Sequence, residues 1–270
     1  MKIVFVGPIP PPIGGVSIHI QRLSQMLRKE GHIISFIDES PIIKVDTFNL
    51  RSLDIFPYLK IIKSADIVHL HSSVTIFRLF HLFICLIFKK NTVLTLHSWR
   101  VESKISQYFQ RKLFSKIKKI ICVNHDIYQK INLNNTIVQA AFIPPDMSVE
   151  PELPKHVEQW IKEQKTQNKI IIASNAYRLD IFNSIDLYGL DMAIKLIDFL
   201  VNEHKLNVAL IFVVTTLNQN EKLFYIYKKI IREKKLTGNI LLIHEKKMSY
   251  VKLIQKSDLT CRLTNTDGDA

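Results

Sequence analysis

Cysteine, glycine and long apolar runs are scarce in this sequence. Its only cysteines, Cys85, Cys122 and Cys261, are far apart, odd in number and form no CxxC pair. This set predicts neither a disulfide framework nor a zinc site, and it is typical of a protein in a reducing compartment. Seven glycines and ten prolines in 270 residues exclude a collagen-like or linker-dominated chain.

The apolar runs are too short for targeting or membrane insertion. Ile3–Val6 is followed at once by Gly7-Pro8, so it is shorter than the apolar region of a secretory signal. The stretch Val74–Phe88 contains Arg78 and His81 and falls short of the roughly 20 residues that a membrane-spanning helix needs. We therefore predict no targeting segment and no transmembrane helix.

Acidic residues are few relative to basic ones. The 37 Lys and Arg residues exceed the 24 Asp and Glu residues, which leaves a formal net charge of +13. A field of that sign attracts nucleic acid, anionic lipid surfaces and phosphorylated small molecules. With 47% hydrophobic and 23% charged residues, the composition is that of a packed protein and excludes a disordered chain.

In residues 1–145, β-branched apolar runs alternate with stretches of helical periodicity. The sequence predicts strands at Lys2–Val6, Ile33–Ile37, Ile67–Leu70, Thr92–Leu96, Ile120–Val123 and Thr136–Gln139. The helices between them are predicted at Val16–Lys29, Leu53–Lys63, Thr75–Phe88, Lys104–Ser115 and Asp126–Ile131. Such alternation predicts a Rossmann-like α/β domain, a parallel sheet with helices on both faces.

The alternation stops at a proline-rich polar segment and then restarts. We predict a linker at residues 146–154 and a second Rossmann-like domain at 155–270, with strands at Lys169–Ala173, Asn207–Val214, Asn239–Ile243 and Leu259–Arg262. Its helices are predicted at Lys155–Lys165, Leu190–His204, Glu221–Lys234 and Tyr250–Lys256. No helix follows the fourth strand, so we expect an incomplete second domain with an uncovered sheet edge in a C-terminally truncated chain.

The loop after the first strand has the features of a phosphate-binding site. Ligands of doubly wound sheets bind at the carboxyl ends of the strands, where helix N-termini present free N–H groups. Gly14 and Gly15 precede the first predicted helix and let the backbone approach an anion closely. The loop is not GxGxxG, which disfavours a dinucleotide; a surface loop without function is the open alternative.

Three histidines fall near predicted strand ends. His97 ends the run Leu94-Thr95-Leu96, where it either contacts a sugar hydroxyl or phosphate or caps the edge of the core. His69 and His71 share one face by strand alternation and could chelate a metal. No carboxylate or cysteine is near them in sequence, which favours packing at the rim and no metal site.

Charged residues also follow the predicted strands of the second half. Arg178 comes shortly after the strand Ile170–Ser174, where a guanidinium suits bidentate phosphate binding. The segment Tyr188-Gly189-Leu190-Asp191 follows it, and Arg262–Asp269 follows the last strand with acidic and turn-forming residues. The alternatives are a surface arginine and carboxylates that cap the next helix.

In this order, the Gly14-Gly15 loop, Thr95-Leu96-His97-Ser98, and the Arg178 and Tyr188–Asp191 segments resemble a GT-B glycosyltransferase of glycosyltransferase family 4. The family's donor-phosphate motif, GR…KG-x-D, falls on these last two segments, and Asp267 falls on the first acid of its E-x7-E signature. Tyr188 stands where the family has lysine, and the second acid would lie beyond residue 270. We therefore expect an active parent protein but an inactive chain of this length.

The resemblance implies transfer of a sugar from a nucleotide diphosphate sugar, with retention and without a metal or other cofactor. Gly14, Gly15, Arg178 and Tyr188 would bind the donor phosphates, and His97 and Asp267 would be the catalytic residues. His97 would position the sugar or acceptor rather than act as a general base, because front-face attack by the acceptor needs no protein nucleophile. The acceptor would be a glycan or a lipid-linked sugar in cell-surface polysaccharide synthesis.

Basic residues of the first domain suit a peripheral, cytoplasmic location on an anionic membrane. Lys89-Lys90 and the cations between Arg111 and Lys119 surround Phe109, Phe114 and Ile117, which could make shallow apolar contacts. A solvated basic face is the alternative. Three other functions stay open: a nucleotide-sugar epimerase of the same fold, a weakened sugar-nucleotide-binding partner subunit, and a nucleic-acid binder, which lacks a recognition motif.

Overall fold

The computed structural model describes residues 1–11, 13–45, 47–99, 103–182, 185–217, 221–245 and 248–264. The chain divides into two compact units, residues 1–144 and residues from 145 onward. Among the described residues, every helix is too short or too polar to cross a membrane.

The first unit alternates strands and helices along its whole length. Its described elements are β1 (Lys2–Gly7), α1 (Gly15–Lys29), β2 (Ile33–Asp38), β3 (Phe48–Asn49), a 3₁₀ turn (Leu50–Ser52), α2 (Ile55–Ser64), β4 (Ile67–Leu70), α3 (Thr75–Ile87), β5 (Asn91–Leu96), α4 (Lys104–Phe114), β6 (Lys119–Cys122), α5 (His125–Ile131) and β7 (Thr136–Val138).

These strands form a parallel sheet in the order β3-β2-β1-β4-β5-β6-β7. Alternate residues of β1 enter different cores: Val4 and Val6 pack in the larger cluster, and Ile3 and Phe5 pack with Ile20 of α1 in the other. A strand buried on both faces is apolar throughout, which is why β1 shows no hydrophobic alternation. Because every strand is parallel, the carboxyl ends of β1, β4 and β5 lie at one edge of the sheet.

The second unit contains a parallel sheet and an antiparallel hairpin. Its described elements are α6 (Lys155–Thr166), β8 (Ile170–Arg178), β9 (Ile181–Phe182), β10 (Ile185–Asp186), α7 (Leu190–Asp198), a π-helical turn (Phe199–Glu203), β11 (Val208–Thr216), α8 (Glu221–Glu233), β12 (Ile240–His244), α9 (Tyr250–Lys256) and β13 (Leu259–Thr260). Strands β12-β11-β8-β13 form the parallel sheet, and β9 pairs with β10. Ile172, Leu210 and Phe212 face one core, whereas Ile171, Ala173 and Ile211 face the other.

The predicted α/β class with parallel sheets is confirmed, but two predicted element ends are wrong and two short elements were not predicted. Strand β8 runs five residues past the predicted end because Asn175–Arg178 pair with β11 up to Thr216. The polar residues there gave no signal of a strand. Hairpin β9–β10 and the two-residue β3 were not predicted, since each is too short to show periodicity. Helix α7 ends at Asp198, where the π-helical turn replaces its predicted last turn.

The proline-rich segment that we predicted as a linker makes contacts with the second unit. Leu153 is 4% exposed and packs with Val157 of α6 and Leu253 of α9. Ser249 Oγ donates to Glu150 Oε2 over 2.6 Å, and Lys252 forms an ion pair with Glu152. These contacts attach residues 150–153 to the second unit.

Candidate functional site

The first βα loop opens the carboxyl edge of the first sheet to solvent. Gly14 is the N-cap of α1 and Gly15 is its first residue, and both are exposed. A Cβ atom built on Gly15 would meet no atom of the described residues within 4 Å. Ser17 holds the turn, because its Oγ accepts from Gly14 N at 2.9 Å and donates to Gly14 O at 3.0 Å. Among the described residues, the N-terminus of α1 is therefore held by Ser17 and exposed at Gly14 and Gly15.

Asp38 anchors the same loop from the neighbouring strand. Its Oδ1 accepts hydrogen bonds from Ile9 N at 3.0 Å and Ser40 N at 2.9 Å. Lys44 forms an ion pair with the other carboxylate oxygen and donates to Ile9 O at 2.7 Å. Because the Asp38 side chain is fully buried, this charge is compensated within the fold and stabilises the loop.

Four histidines meet at this edge. His69 lies on β4, His71 follows β4, His97 follows β5, and His19 lies one helical turn after Gly15 on α1. His71 Nδ1 is 3.0 Å from His97 Nε2, and His69 Nε2 is 2.8 Å from Thr95 Oγ1. The His19 ring contacts the rings of His71 and His97, with centroid distances of 5.3 Å and 5.1 Å.

The backbone allows this clustering at Gly7, the last residue of β1. Its φ of +153° is rarely adopted by residues with a side chain, and a Cβ there would lie 3.0 Å from Ile20 Cδ1 and 3.1 Å from His71 Cβ. His71 N donates to Val6 O at 2.7 Å, which continues the pairing of β1 and β4 beyond the strand. Gly7 thus permits the close approach of His71 to α1.

Burial keeps these imidazoles neutral. Desolvation, with a smaller contribution from the neighbouring His19, lowers the pKa of His97 from 6.5 to about 4. It lowers the pKa of His69 to about 3 and that of His71 well below its usual value. Burial also lowers the pKa of His19, while its hydrogen bond to Ala141 O opposes this shift. A neutral imidazole offers one donor and one acceptor to a ligand.

The sequence predicted a site role for His97, favoured packing for His69 and His71, and gave no role to His19. Its position four residues after Gly15 was a usable signal, because it places a polar side chain above the glycine loop. His19 is fixed there by its Nδ1 atom, which donates to Ala141 O at 2.8 Å. That partner lies 122 residues away in sequence and could not be foreseen from helical periodicity.

In the second unit, the N-terminus of α7 is built around a glycine. Gly189 has a φ of +68°, and a Cβ at this position would lie only 1.7 Å from Leu263 O. Asp186 Oδ1 accepts from Tyr188 N at 2.9 Å and Gly189 N at 3.1 Å, and Tyr227 donates to Asp186 Oδ2 at 2.6 Å. Only glycine fits between α7 and the chain after β13.

Arg178 lies at the last position of β8 rather than beyond the strand, and it forms a 2.8 Å ion pair with Asp180. The Arg178 side chain remains 46% exposed. The Tyr188 side chain is half-buried and packs against the core of this unit. Asp267 lies outside the described residues.

No protein-family model matches the sequence, and no curated protein matches it. Solved structures do. HepE of Anabaena, bound to UDP, aligns with a TM-score of 0.69 and 13% identity, covering 98% of this chain and 75% of HepE. A glycosyltransferase of Rickettsia africae aligns at 0.68 and 16% identity, covering 97% and 73%. Sucrose-phosphate synthase of Thermosynechococcus elongatus aligns at 0.57 and 10% identity, covering 96% and 75%.

The chain has the GT-B fold. This agrees with the architecture predicted from the sequence. Membership in glycosyltransferase family 4 stays a prediction, since similarity at these identities shows the fold alone. HepE has also been solved with UDP-glucose. In this GT-B chain, the carboxyl edge of the first sheet carries Gly14, Gly15 and the histidines. The corresponding part of the second unit carries Arg178, Tyr188 and Gly189.

Proposed function

We propose that this protein is a glycosyltransferase that moves a sugar from a nucleotide diphosphate sugar to a glycan or lipid-linked acceptor, with retention and without a metal. The observation that carries the proposal is the GT-B fold over 98% of the chain, in common with HepE, which was solved with UDP and with UDP-glucose. The open glycine loop and the neutral histidines at one sheet edge support it.

The donor diphosphate is assigned to Arg178 and to the first turn of α7 after Gly189, because the N–H groups of Tyr188 and Gly189 already donate to Asp186. Departure of the leaving group places negative charge on the diphosphate, and preorganised N–H groups and a guanidinium stabilise that charge. The Arg178–Asp180 ion pair is partly exposed, and such pairs contribute about 0–1 kcal/mol. A diphosphate can therefore replace Asp180 as the partner of Arg178 at small cost.

His97 is assigned to the sugar or acceptor hydroxyls. With its pKa lowered to about 4, its ring is neutral near pH 7, so one ring nitrogen donates a hydrogen bond and the other accepts one. A base of such low pKa abstracts protons from hydroxyls poorly. Its contribution is therefore to hold the reacting groups in position.

Calorimetric titration with UDP tests the donor assignment. Arg178→Ala should weaken UDP binding about 10- to 100-fold, because a hydrogen bond to a charged group contributes about 1.5–3 kcal/mol. The matched control is Arg232→Ala. Arg232 is exposed in the last turn of α8, and helix C-termini lie at the edge of a parallel sheet opposite to the strand ends where Arg178 lies. Equal affinities for wild type and Arg178→Ala would contradict the assignment.

Metal independence is tested in the same titration. UDP affinity should be the same within about twofold in EDTA and in Mn²⁺, because the proposed phosphate ligands are N–H groups and a guanidinium. Loss of binding in EDTA with recovery in Mn²⁺ would contradict metal independence. Incubation with a UDP-sugar and separation of products would then distinguish transfer from epimerisation, the alternative activity.

A lipid-linked acceptor is supported by the surface of α4. Ile105, Tyr108 and Phe109 are exposed by 71%, 62% and 54%. Of the three apolar membrane contacts predicted from the sequence, Phe109 is exposed. The predictions for Phe114 and Ile117 are wrong, because both residues are buried in the core. Exposed cations accompany the apolar side chains at Lys104, Lys112, Lys116 and Lys118. We propose that this face binds an anionic membrane on the cytoplasmic side, where the three free cysteines would stay reduced.

Vesicle co-sedimentation tests the membrane proposal. Binding to anionic vesicles should exceed binding to neutral ones and should fall as salt screens the charges. Reversal of Lys116 and Lys118 to glutamate should weaken binding at least about 30-fold, because each cation near such a surface contributes about 1 kcal/mol. Reversal of the exposed Lys162 and Lys165 on α6 is the control. Equal binding to neutral vesicles would contradict attraction by charge, and absence of binding to both kinds would contradict the membrane proposal.

A further inference from the structure

Three histidines from three elements converge at the carboxyl edge of the first sheet: His19 of α1, His71 after β4 and His97 after β5. One ring nitrogen of each lies within 4.8 Å of the other two. We propose that this His19–His71–His97 cluster binds a transition-metal ion of the zinc class. The sequence predicted no metal site, because the cysteines are far apart and His69 and His71 have no carboxylate or cysteine near them in sequence. The inference goes beyond the proposed sugar transfer and does not depend on it. The metal independence proposed above concerns the donor diphosphate at Arg178 and α7. An ion bound to His97 through Nε2 leaves the Nδ1–H of that ring for a hydroxyl.

The distances suit such an ion. In a tetrahedral zinc site with Zn–N bonds of about 2.0–2.1 Å, two ligand nitrogens lie about 3.3 Å apart. His71 Nδ1 and His97 Nε2 are already 3.0 Å apart. The His19 nitrogen lies within 4.8 Å of the other two nitrogens. His19 is half-buried on the first turns of α1, and a movement of its side chain by about 1.5 Å or less brings that nitrogen to the tetrahedral separation. The protein thus holds one pair of ligands in place and a third beside them.

The outer partners of the histidines orient their nitrogens. His19 Nδ1 donates to Ala141 O at 2.8 Å, which leaves the lone pair on Nε2. Metal-binding histidines commonly donate their second N–H to a backbone carbonyl in this way. His71 offers either Nδ1, beside His97, or Nε2, which is buried without a hydrogen-bond partner among the described residues. Hydrogen bonding between the histidines therefore leaves one buried nitrogen of the cluster unsatisfied.

The donor set determines which ions fit. Imidazole nitrogen suits Zn²⁺, Co²⁺, Ni²⁺ and Cu²⁺, whereas Mg²⁺ and Ca²⁺ prefer oxygen ligands. Three protein ligands leave a fourth tetrahedral position. Because His19 and His97 are only partly buried, water can reach this position and complete the coordination.

Co²⁺ is the probe for the test, because tetrahedral cobalt has strong visible absorption. The full chain, purified without a polyhistidine tag, is titrated with Co²⁺, and Zn²⁺ is then added to displace it. We expect one Co²⁺ per chain, displacement by Zn²⁺, and no effect of millimolar Mg²⁺. His19→Gln should weaken Co²⁺ binding at least about tenfold. Gln is chosen because its amide can keep the hydrogen bond to Ala141 O.

A control is needed because the chain has ten histidines. His125→Gln changes an exposed histidine of the same unit and should leave Co²⁺ binding unchanged. Thermal melts of both variants establish that they are folded. Absence of the tetrahedral band in wild type, or an unchanged band in folded His19→Gln, would overturn the proposal. UDP titration of the same samples separates this result from the proposed function, since the UDP contacts are assigned to Arg178 and α7.

Discussion

Acid should destabilise the first unit of the metal-free protein more than the second. Four histidines at the carboxyl edge of the first sheet are wholly or partly buried, with pKa values below the usual 6.5. Among the described histidines of the second unit, His156 and His204 are exposed and His244 is half-buried. Unfolding releases the buried rings to take up protons near pH 6.5, whereas the folded unit resists protonation until a much lower pH.

The sign and size follow from the pKa values. Because the pKa values are lower in the folded state, stability is greatest above pH 6.5 and falls as the pH drops toward the folded values of about 4 for His97 and about 3 for His69. The loss is about 1.4 kcal/mol per pH unit for each ring. Between pH 7 and about pH 4.5, His69 and His97 together reduce the free energy of unfolding by about 5 kcal/mol. Typical domains have only about 5–15 kcal/mol in total.

Two tryptophans allow the units to be measured separately. Trp99 packs on the core of the first unit and Trp160 packs in the second. In a Trp160→Phe background, urea unfolding followed by Trp99 fluorescence gives the free energy of unfolding of the first unit at each pH. Trp99→Phe gives that of the second.

His97→Asn should remove roughly half of the pH dependence that we assign to His69 and His97. His125→Asn, an exposed control, should leave it unchanged. An equal acid loss in both units, or an unchanged slope in His97→Asn, would refute the reasoning.

Three substitutions in the second unit test its packing with the same Trp160 signal. Gly189→Ala should cost at least about 2 kcal/mol, because its left-handed φ disfavours alanine and the new Cβ overlaps Leu263 O; a neutral result would contradict this geometry. Tyr227→Phe should cost about 1–3 kcal/mol by removing the hydrogen bond to buried Asp186, and a cost near zero would mean that this bond contributes little. Phe212→Ala should cost about 3–5 kcal/mol by opening a cavity, whereas Phe199→Ala, 45% exposed, should cost much less.

Local sequence patterns determined most of the architecture. Apolar runs of four to six residues alternate with helical periodicity, which predicts parallel strands and covering helices without knowledge of their order. The same patterns place Gly14, Gly15 and His97 at carboxyl strand ends, because a residue's position relative to its own strand is a local property. Burial on both faces makes β1 uniformly apolar, so its assignment as an inner strand also follows from sequence.

Contacts between distant residues were decided only by the tertiary structure. His19 joins His71 and His97 because β1, β4 and β5 are neighbours in the sheet, and no local pattern specifies that order. Strand β8 extends to Arg178 because β11 offers it hydrogen bonds up to Thr216. Likewise, the sequence pattern did not distinguish Phe109 from Phe114 and Ile117. Packing in the core of the first unit buries Phe114 and Ile117, while Phe109 stays exposed. Side-chain type and spacing determine which elements form, whereas strand pairing and packing determine which side chains meet.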